Sequence, residues 1–271
     1  EHWLAIVGLR YDDFDVELRN NRNGSVLRSE DGLLSPRAGL VYKPIEEVSI
    51  YGSYSMSYLP RAGDQLASLT ASNAALDPET FRNREVGVKW DIRPELAATL
   101  AVYRLDRGNV AVSDPADPTR SILVDAQKSE GVEIGIAGRI TDAWQLMGGY
   151  AYQTGELTES LSASAPAGSR LAQLPRHSAS LWNRYDFNDR FGAGLGIVHR
   201  GAIYANIDNL VSLPGFTRLD GAFYWTVNPS LQLQLNVENL LDKRYFASAH
   251  NNNNITPGAP RSAWVTLNFH Y

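Results

Sequence analysis

The chain has 271 residues, no cysteine, 25 Lys and Arg against 30 Asp and Glu, and a formal net charge of −5. This excludes a disulfide framework and a thiolate metal centre, and it leaves no basic footprint for nucleic acid. Mean hydropathy is −0.27 and no apolar run approaches the ~18 residues of a membrane helix; a membrane β-barrel remains compatible, because half of each of its strands faces a polar lumen.

The chain opens inside an alternating segment, from Trp3 to Tyr11, with no initiator Met, no charged n-region and no apolar h-region. That is the pattern of a strand within a longer protein and not of a signal peptide. Similar segments follow along the whole length, about twelve in all. Successive side chains of a strand point to opposite faces, so the faces can be read directly. Val48, Ile50, Tyr54, Met56 and Tyr58 oppose Ser49, Tyr51, Ser53, Ser55 and Ser57; Val86, Val88 and Trp90 oppose Glu85, Gly87, Lys89 and Asp91. Further on, Val132, Ile134 and Ile136 oppose Glu133, Gly135 and Arg139, and Leu231, Leu233, Leu235 and Val237 oppose Gln232, Gln234, Asn236 and Glu238. In each case one face suits lipid and the other a wet lumen. Glu85 and Lys89, two pleats apart on one face, are expected to form an ion pair.

Two kinds of break separate the segments. Short ones lie at 43–47, 91–95, 141–143, 186–190 and 227–230, and carry the Pro, Asn and Asp of tight turns. Long ones lie at 60–80, 113–120, 157–174, 206–213 and 248–260, and are rich in Ala, Ser, Asn, Gly and Pro. Short and long alternate, as do the periplasmic turns and extracellular loops of outer-membrane barrels. Pro36, Pro175, Pro214 and Pro260 read as openings of the strand after a long loop, where a missing N–H is tolerated. Aromatics collect beside the breaks: Trp90, Trp144, Tyr185, Phe191 and Trp225 at short ones, Tyr58 and Tyr204 at long ones. Interfacial girdles account for this placement, and so does ordinary cross-strand pairing. The last strand alternates Val265, Leu267, Phe269 and Tyr271 against Thr266, Asn268 and His270, and ends on an aromatic.

Catalytic constellations are weak in the sequence. The five histidines (His2, His177, His199, His250 and His270) have no metal-ligand spacing, and there is no phosphate-cradling Gly loop and no Gly-x-Ser-x-Gly. Ser113-Asp114-Pro115-Ala116-Asp117-Pro118 reads as a stiff loop before it reads as a calcium site, and Asn251 to Asn254 as a flexible loop tip.

Three segments carry a resemblance. They are Leu76-Asp77-Pro78-Glu79-Thr80 with Asn83-Arg84-Glu85-Val86-Gly87-Val88-Lys89-Trp90-Asp91; Leu213-Pro214-Gly215-Phe216-Thr217-Arg218-Leu219-Asp220; and Val237-Glu238-Asn239-Leu240-Leu241-Asp242-Lys243-Arg244-Tyr245 followed by Pro257-Gly258-Ala259-Pro260-Arg261 and the terminal strand. Together they resemble the C-terminal part of the barrel of TonB-dependent siderophore receptors. The resemblance implies an all-β, antiparallel transmembrane barrel of which residues 1–271 supply the last twelve of 22 strands, with the plug domain and signal peptide absent. It further implies a non-enzymatic protein of the Gram-negative outer membrane. Its ligand would be a ferric siderophore, with no cofactor bound directly and no nucleic acid. Its partners would be the TonB complex, reached through the missing N-terminal part, outer-membrane lipid and the barrel-assembly machinery, which would read Phe269 and Tyr271. On that basis Arg61, Arg200 and Tyr204, with Arg170 and His250 in the long loops, are candidate ligand contacts. An Arg can pair with anionic chelate oxygens, and a Tyr ring can pack on the ligand's apolar parts. A passive channel that closes on itself, and a soluble carbohydrate-binding sandwich, remain as other readings of the same pattern.

Overall fold

A computed structural model describes residues 2–62, 69–113 and 121–269. Among them no helix occurs, and the strands in chain order are β1 (Trp3–Arg19), β2 (Val26–Ile45), β3 (Val48–Leu59), β4 (Glu79–Arg93), β5 (Leu96–Gly108), β6 (Val110–Ser113), β7 (Ser121–Val124), β8 (Gln127–Thr141) and β9 (Trp144–Leu157). They continue as β10 (His177–Asp186), β11 (Phe191–Arg200), β12 (Ile203–Tyr204), β13 (Ser212–Leu213), β14 (Phe216–Asn228), β15 (Leu231–Glu238), β16 (Phe246–Asn251), β17 (Asn254–Pro257) and β18 (Ser262–Phe269). Twelve of them form one antiparallel sheet in the order β1-β2-β3-β4-β5-β8-β9-β10-β11-β14-β15-β18. Each neighbour follows its predecessor in sequence apart from three small hairpins, β6–β7, β12–β13 and β16–β17, which sit inside long connections.

The alternation of breaks fixes this topology. Residues 46–47, 94–95, 142–143, 187–190 and 229–230 close one end, and all the long connections fall at the other. The short turns are held by side-chain acceptors. Asn188 Oδ1 accepts the Arg190 and Phe191 amides at 2.9 and 3.0 Å, and Asn228 Oδ1 accepts that of Ser230 at 2.9 Å. Four of the five turns follow a register shift, at Tyr42/Ile45, Asp91/Arg93, Arg139/Thr141 and Thr226/Asn228. Gly138, just before one of them, has φ +139, and a Cβ there would run into the Glu95 carbonyl.

The two faces match the alternation. On one, cross-strand rows such as Val88–Leu100–Ile134–Tyr150 and Leu233–Leu267 are apolar throughout. Among the described residues nothing covers this face: Val7 is 85% exposed and Val86 63%. Its aromatics gather toward the short turns, where Trp3 packs tilted against Tyr42 at 4.5 Å and Phe191 stacks on Trp225 at 6.3 Å. The other face is polar. There Trp182 lies over β11, where a Cβ on Gly194 or Gly196 would collide with the indole. The fully buried side chains lie elsewhere. Leu157, Leu213 and Asn239, like Ala126, Ile203 and Ala205, belong to the long-loop end, so the packed core is the layer of loops.

Several expectations are corrected. Pro36 does not open a strand: it lies inside the 20-residue β2, opposite Leu9 of β1 and one residue beyond the last β2–β3 pair, so its missing N–H costs no bond to β3. The turn at 20–25, absent from the sequence-read breaks, joins β1 to β2. β15 and β18 span eight residues each, shorter than the other strands of the sheet. Asn251 to Asn254 form the turn of an ordered hairpin. The Glu85–Lys89 ion pair does not form, because Tyr51 intervenes. Its hydroxyl donates to Glu85 Oε1 at 2.6 Å and the Lys89 ammonium lies 5.5 Å from its ring centre.

Candidate functional site

The long-loop end carries the sequence-derived candidates in two places. The first is built on Arg61, just past the end of β3. Its guanidinium is buried, with 4% side-chain exposure, and is committed inward. Nε donates to the Asp77 carbonyl at 2.6 Å, and Nη2 donates to the carbonyls of Asp77 and Asn109. Glu79, 3.9 Å away, also receives Arg107 at 2.6 Å. Burial pulls the Arg61 pKa below the ordinary arginine value, while Glu79, Asp31 and Asp77 oppose that shift. Asn109, at φ 55, completes the knot by donating to the Pro78 carbonyl at 3.0 Å. This arrangement ties the β3–β4 connection to the end of β5. It commits Nε and Nη2 of Arg61 to loop carbonyls.

The other four candidates lie on three connections and at the end of β11. Arg170, between β9 and β10, lies 5.4 Å over the ring of Tyr204 in β12. Its amide donates to Asn209 Oδ1 at 2.7 Å, and Asn209 Nδ2 returns a bond to the Arg170 carbonyl at 2.8 Å. Gln173 is the hub. Its amide donates to the Tyr204 carbonyl at 3.0 Å, its Nε2 donates to the Ala205 carbonyl at 3.2 Å, and its Oε1 accepts the Ala249 amide at 3.3 Å. Asn252 Nδ2 adds a bond to Asp208 Oδ2 at 2.7 Å. His250, in β16, is exposed and has no hydrogen-bond partner among the described residues. Arg200 points to the polar face, as strand parity predicts, opposite Ser178 and Phe216. Its guanidinium donates to the Phe246 carbonyl at 2.8 Å and to that of Ala247, and stacks 5.0 Å from the Phe216 ring. It therefore anchors the β16–β17 hairpin over the sheet.

Gln173 and Asn209, with φ of 59 and 56, are the residues that sequence reasoning passed over. Asn at a left-handed position is a readable signal; a Gln there is not. The Asn239 to Arg261 segment also resolves into a structural knot. Asn239 is fully buried. Its Nδ2 donates to the Lys243 and Ala259 carbonyls at 3.0 and 3.1 Å, its Oδ1 accepts the Lys243 amide at 2.8 Å, and Asp242 accepts the Arg261 amide at 2.9 Å. No group of His, Asp and Glu able to hold a metal occurs among the described residues. Asp114 to Pro118, His270 and Tyr271 lie outside the described residues.

A family model described as TonB dependent receptor-like, beta-barrel, matches residues 1–240. The probable TonB-dependent siderophore receptor PiuA of Acinetobacter baumannii is 33% identical over 288 residues, covering 99% of this chain and 38% of that protein. The catecholate siderophore receptor Fiu of Escherichia coli K12 is 32% identical over 251 residues, 88% of this chain and 33% of Fiu. The PiuA crystal structure aligns with a TM-score of 0.90 at 32% identity, over 100% of this chain and 41% of that one. The chain spans about two fifths of the length of PiuA. Its twelve-stranded wall, with turns at one end and loops at the other, is thus the wall of a known kind of barrel, and the chain belongs to the TonB-dependent receptor β-barrel family, transport receptors of the Gram-negative outer membrane.

Proposed function

We propose that residues 1–271 form the C-terminal barrel wall of a receptor that binds a ferric siderophore outside the cell and imports it with energy from TonB. In this reading an N-terminal plug and about ten further strands complete the molecule, pairing with β1 and β18, each of which has only one neighbour in the sheet. Unpaired edges in lipid leave backbone groups unsatisfied at several kcal/mol each, which supports closure by additional strands. The observation that carries the proposal is the interlocked cluster at the long-loop end, where Arg170 lies over Tyr204 and Gln173 ties in the Ala249 backbone next to His250. Tyr204 offers a ring and a hydroxyl, Arg170 a cation beside it, and His250 an exposed imidazole. Arg200 and Arg61 support the loops and do not contact the ligand. Iron enters as cargo inside its chelate, and the chain holds no resident cofactor.

The test is uptake of radiolabelled ferric catecholate, the ligand class in the name of the relative Fiu, by cells making the intact receptor as their sole such transporter. Uptake should require TonB and should fall with Tyr204→Ala. Uptake that persists without TonB would favour the passive-channel reading. Assembly is proposed to depend on the terminal strand, with Phe269 on the lipid face and Tyr271 at its end.

A further inference from the structure

The β1–β2 hairpin outruns the rest of the sheet at the long-loop end. Pairing between β2 and β3 ends at Arg37–Ser55, whereas β1–β2 pairing continues to Arg19–Val26. Val26 is eleven residues past Arg37, or ~36 Å along a strand. The 20–25 turn therefore stands well beyond the apolar wall, and each of its residues is exposed. It contains Asn23-Gly24, the sole Asn-Gly pair of the sequence.

Two donors hold the Asn23 carboxamide by its oxygen. The Ser25 amide donates to Asn23 Oδ1 at 3.0 Å and the Ser25 hydroxyl at 2.8 Å. The first bond spans Gly24 and turns the carboxamide back toward the Gly24 nitrogen, as in an Asx-turn. Both donors sit where negative charge would develop if that nitrogen attacked the carboxamide carbon. Nothing crowds the approach: Gly24 lacks a Cβ, and one built there would meet no atom within 4 Å. Gly24, at φ +75, also moves between backbone conformations at little cost. One restraint opposes attack, the bond from the Gly24 amide to the Asn20 carbonyl at 2.8 Å. At the exposed end of a two-stranded ribbon such a bond opens readily.

We propose that Asn23 is a site of self-modification, deamidated through a cyclic imide with Ser25 as the activating residue. The Gly24 nitrogen gives up its proton to solvent and attacks Asn23 Cγ. The N–Cγ bond forms, the Cγ–Nδ2 bond breaks, and Nδ2 leaves as ammonia after taking a proton from solvent. Water then opens the imide. Cleavage at Cγ leaves an aspartate at position 23; cleavage at the main-chain carbonyl leaves an isoaspartate, whose chain runs on through Cβ. No oxidation or reduction is involved. Either product places a new carboxylate in a tip that carries Arg19 and Arg22. The isoaspartate also lengthens the turn by one backbone atom and strains the Arg19–Val26 closure. The outermost point of this hairpin thus gains negative charge as the molecule ages.

The test incubates the intact receptor, purified in detergent, at mildly alkaline pH in water labelled with heavy oxygen, and follows tryptic peptides by mass spectrometry. The peptide from Asn23 to Arg28 reports the site. The peptide from Tyr185 to Arg190 is the control: Asn188 is exposed and its Oδ1 likewise accepts two amides, at 2.9 and 3.0 Å, but Asp189 follows it. Conversion at Asn23, with label taken up, should run about tenfold faster than at Asn188, because a Cβ shields the Asp189 nitrogen. Ser25→Ala keeps the amide donor, removes the hydroxyl and should slow conversion about fivefold, the worth of one hydrogen bond. Equal rates at Asn23 and Asn188 would overturn the site. An unchanged rate in Ser25→Ala would overturn the activation. The receptor unfolded in urea supplies the remaining comparison: conversion at least as fast in the folded protein supports the proposal. Protection of Asn23 by folding, by about tenfold, would overturn it and give control of the turn to the Asn20 carbonyl.

Discussion

Replacing Arg61 with Met separates a ligand contact from a loop clamp. Met keeps most of the apolar stem and removes the guanidinium, which leaves the Asp77 and Asn109 carbonyls without their donors. A hydrogen bond to a charged group contributes about 1.5–3 kcal/mol. Two such acceptors lose their partner, while Glu79 keeps Arg107 at 2.6 Å, and removal of a buried charge offsets part of the loss. A net cost of about 3 kcal/mol follows, confined to the β3–β4 connection. At 1.4 kcal/mol per tenfold, local opening should become roughly 100-fold more frequent. The reporters are the Ala74 and Leu76 amides, bonded to the Thr70 and Asn73 carbonyls at 3.0 Å each. Native-state hydrogen exchange on the intact receptor reads them directly. Ligand affinity should fall less than exchange rises. Unchanged exchange with a tenfold loss of affinity would refute the clamp and return Arg61 to the ligand.

Asn239→Ala removes three side-chain hydrogen bonds and places Ala at φ 55. We expect about 3 kcal/mol of destabilisation at this knot and roughly 1 kcal/mol less with Gly, which accepts that conformation freely; exchange of the Lys243 amide checks both. Gln173→Ala should loosen two loops at once, with Ala249 amide exchange rising roughly fivefold to tenfold for the loss of about 1 kcal/mol per bond, and proteolytic cleavage appearing together in 158–176 and 246–257. Tyr271→Asp in the intact receptor should deplete it from the membrane. An interfacial carboxylate alone costs about 1 kcal/mol or less, so near-normal insertion by heat-modifiable mobility would leave Tyr271 only a girdle role.

The wall was legible because its information is local. A period of two, with turn chemistry at each end, lies within any twelve-residue window, so Val86, Val88 and Trp90 declare their face without knowledge of their neighbours. Strand parity puts Arg200 on the polar face for the same reason. What escaped depends on contacts between distant residues. Nothing around Gln173 announces that it will accept the Ala249 amide 76 positions away. Tyr51 takes Glu85 from Lys89 across a strand boundary, where a rule based on spacing within one strand sees only the two charges. Pro36 was misplaced because its tolerance comes from β2 outrunning β3, a difference in strand length invisible from either segment alone. The candidate residues were chosen by type and position; whether a guanidinium is free or occupied is decided by carbonyls elsewhere in the chain, as at Arg61.

The bonds joining the β9–β10, β11–β14 and β15–β18 connections also constrain how this surface can change over generations. A loop standing alone can be lengthened, shortened or rewritten with little effect on its neighbours. Here Asn209 serves Arg170, Gln173 serves Ala205 and Ala249, and Asp208 serves Asn252. An alteration in one loop strands a donor or acceptor in another. A change in the shape of this end would therefore favour exchange of the three loops as a block, with matched changes appearing in segments far apart in the chain.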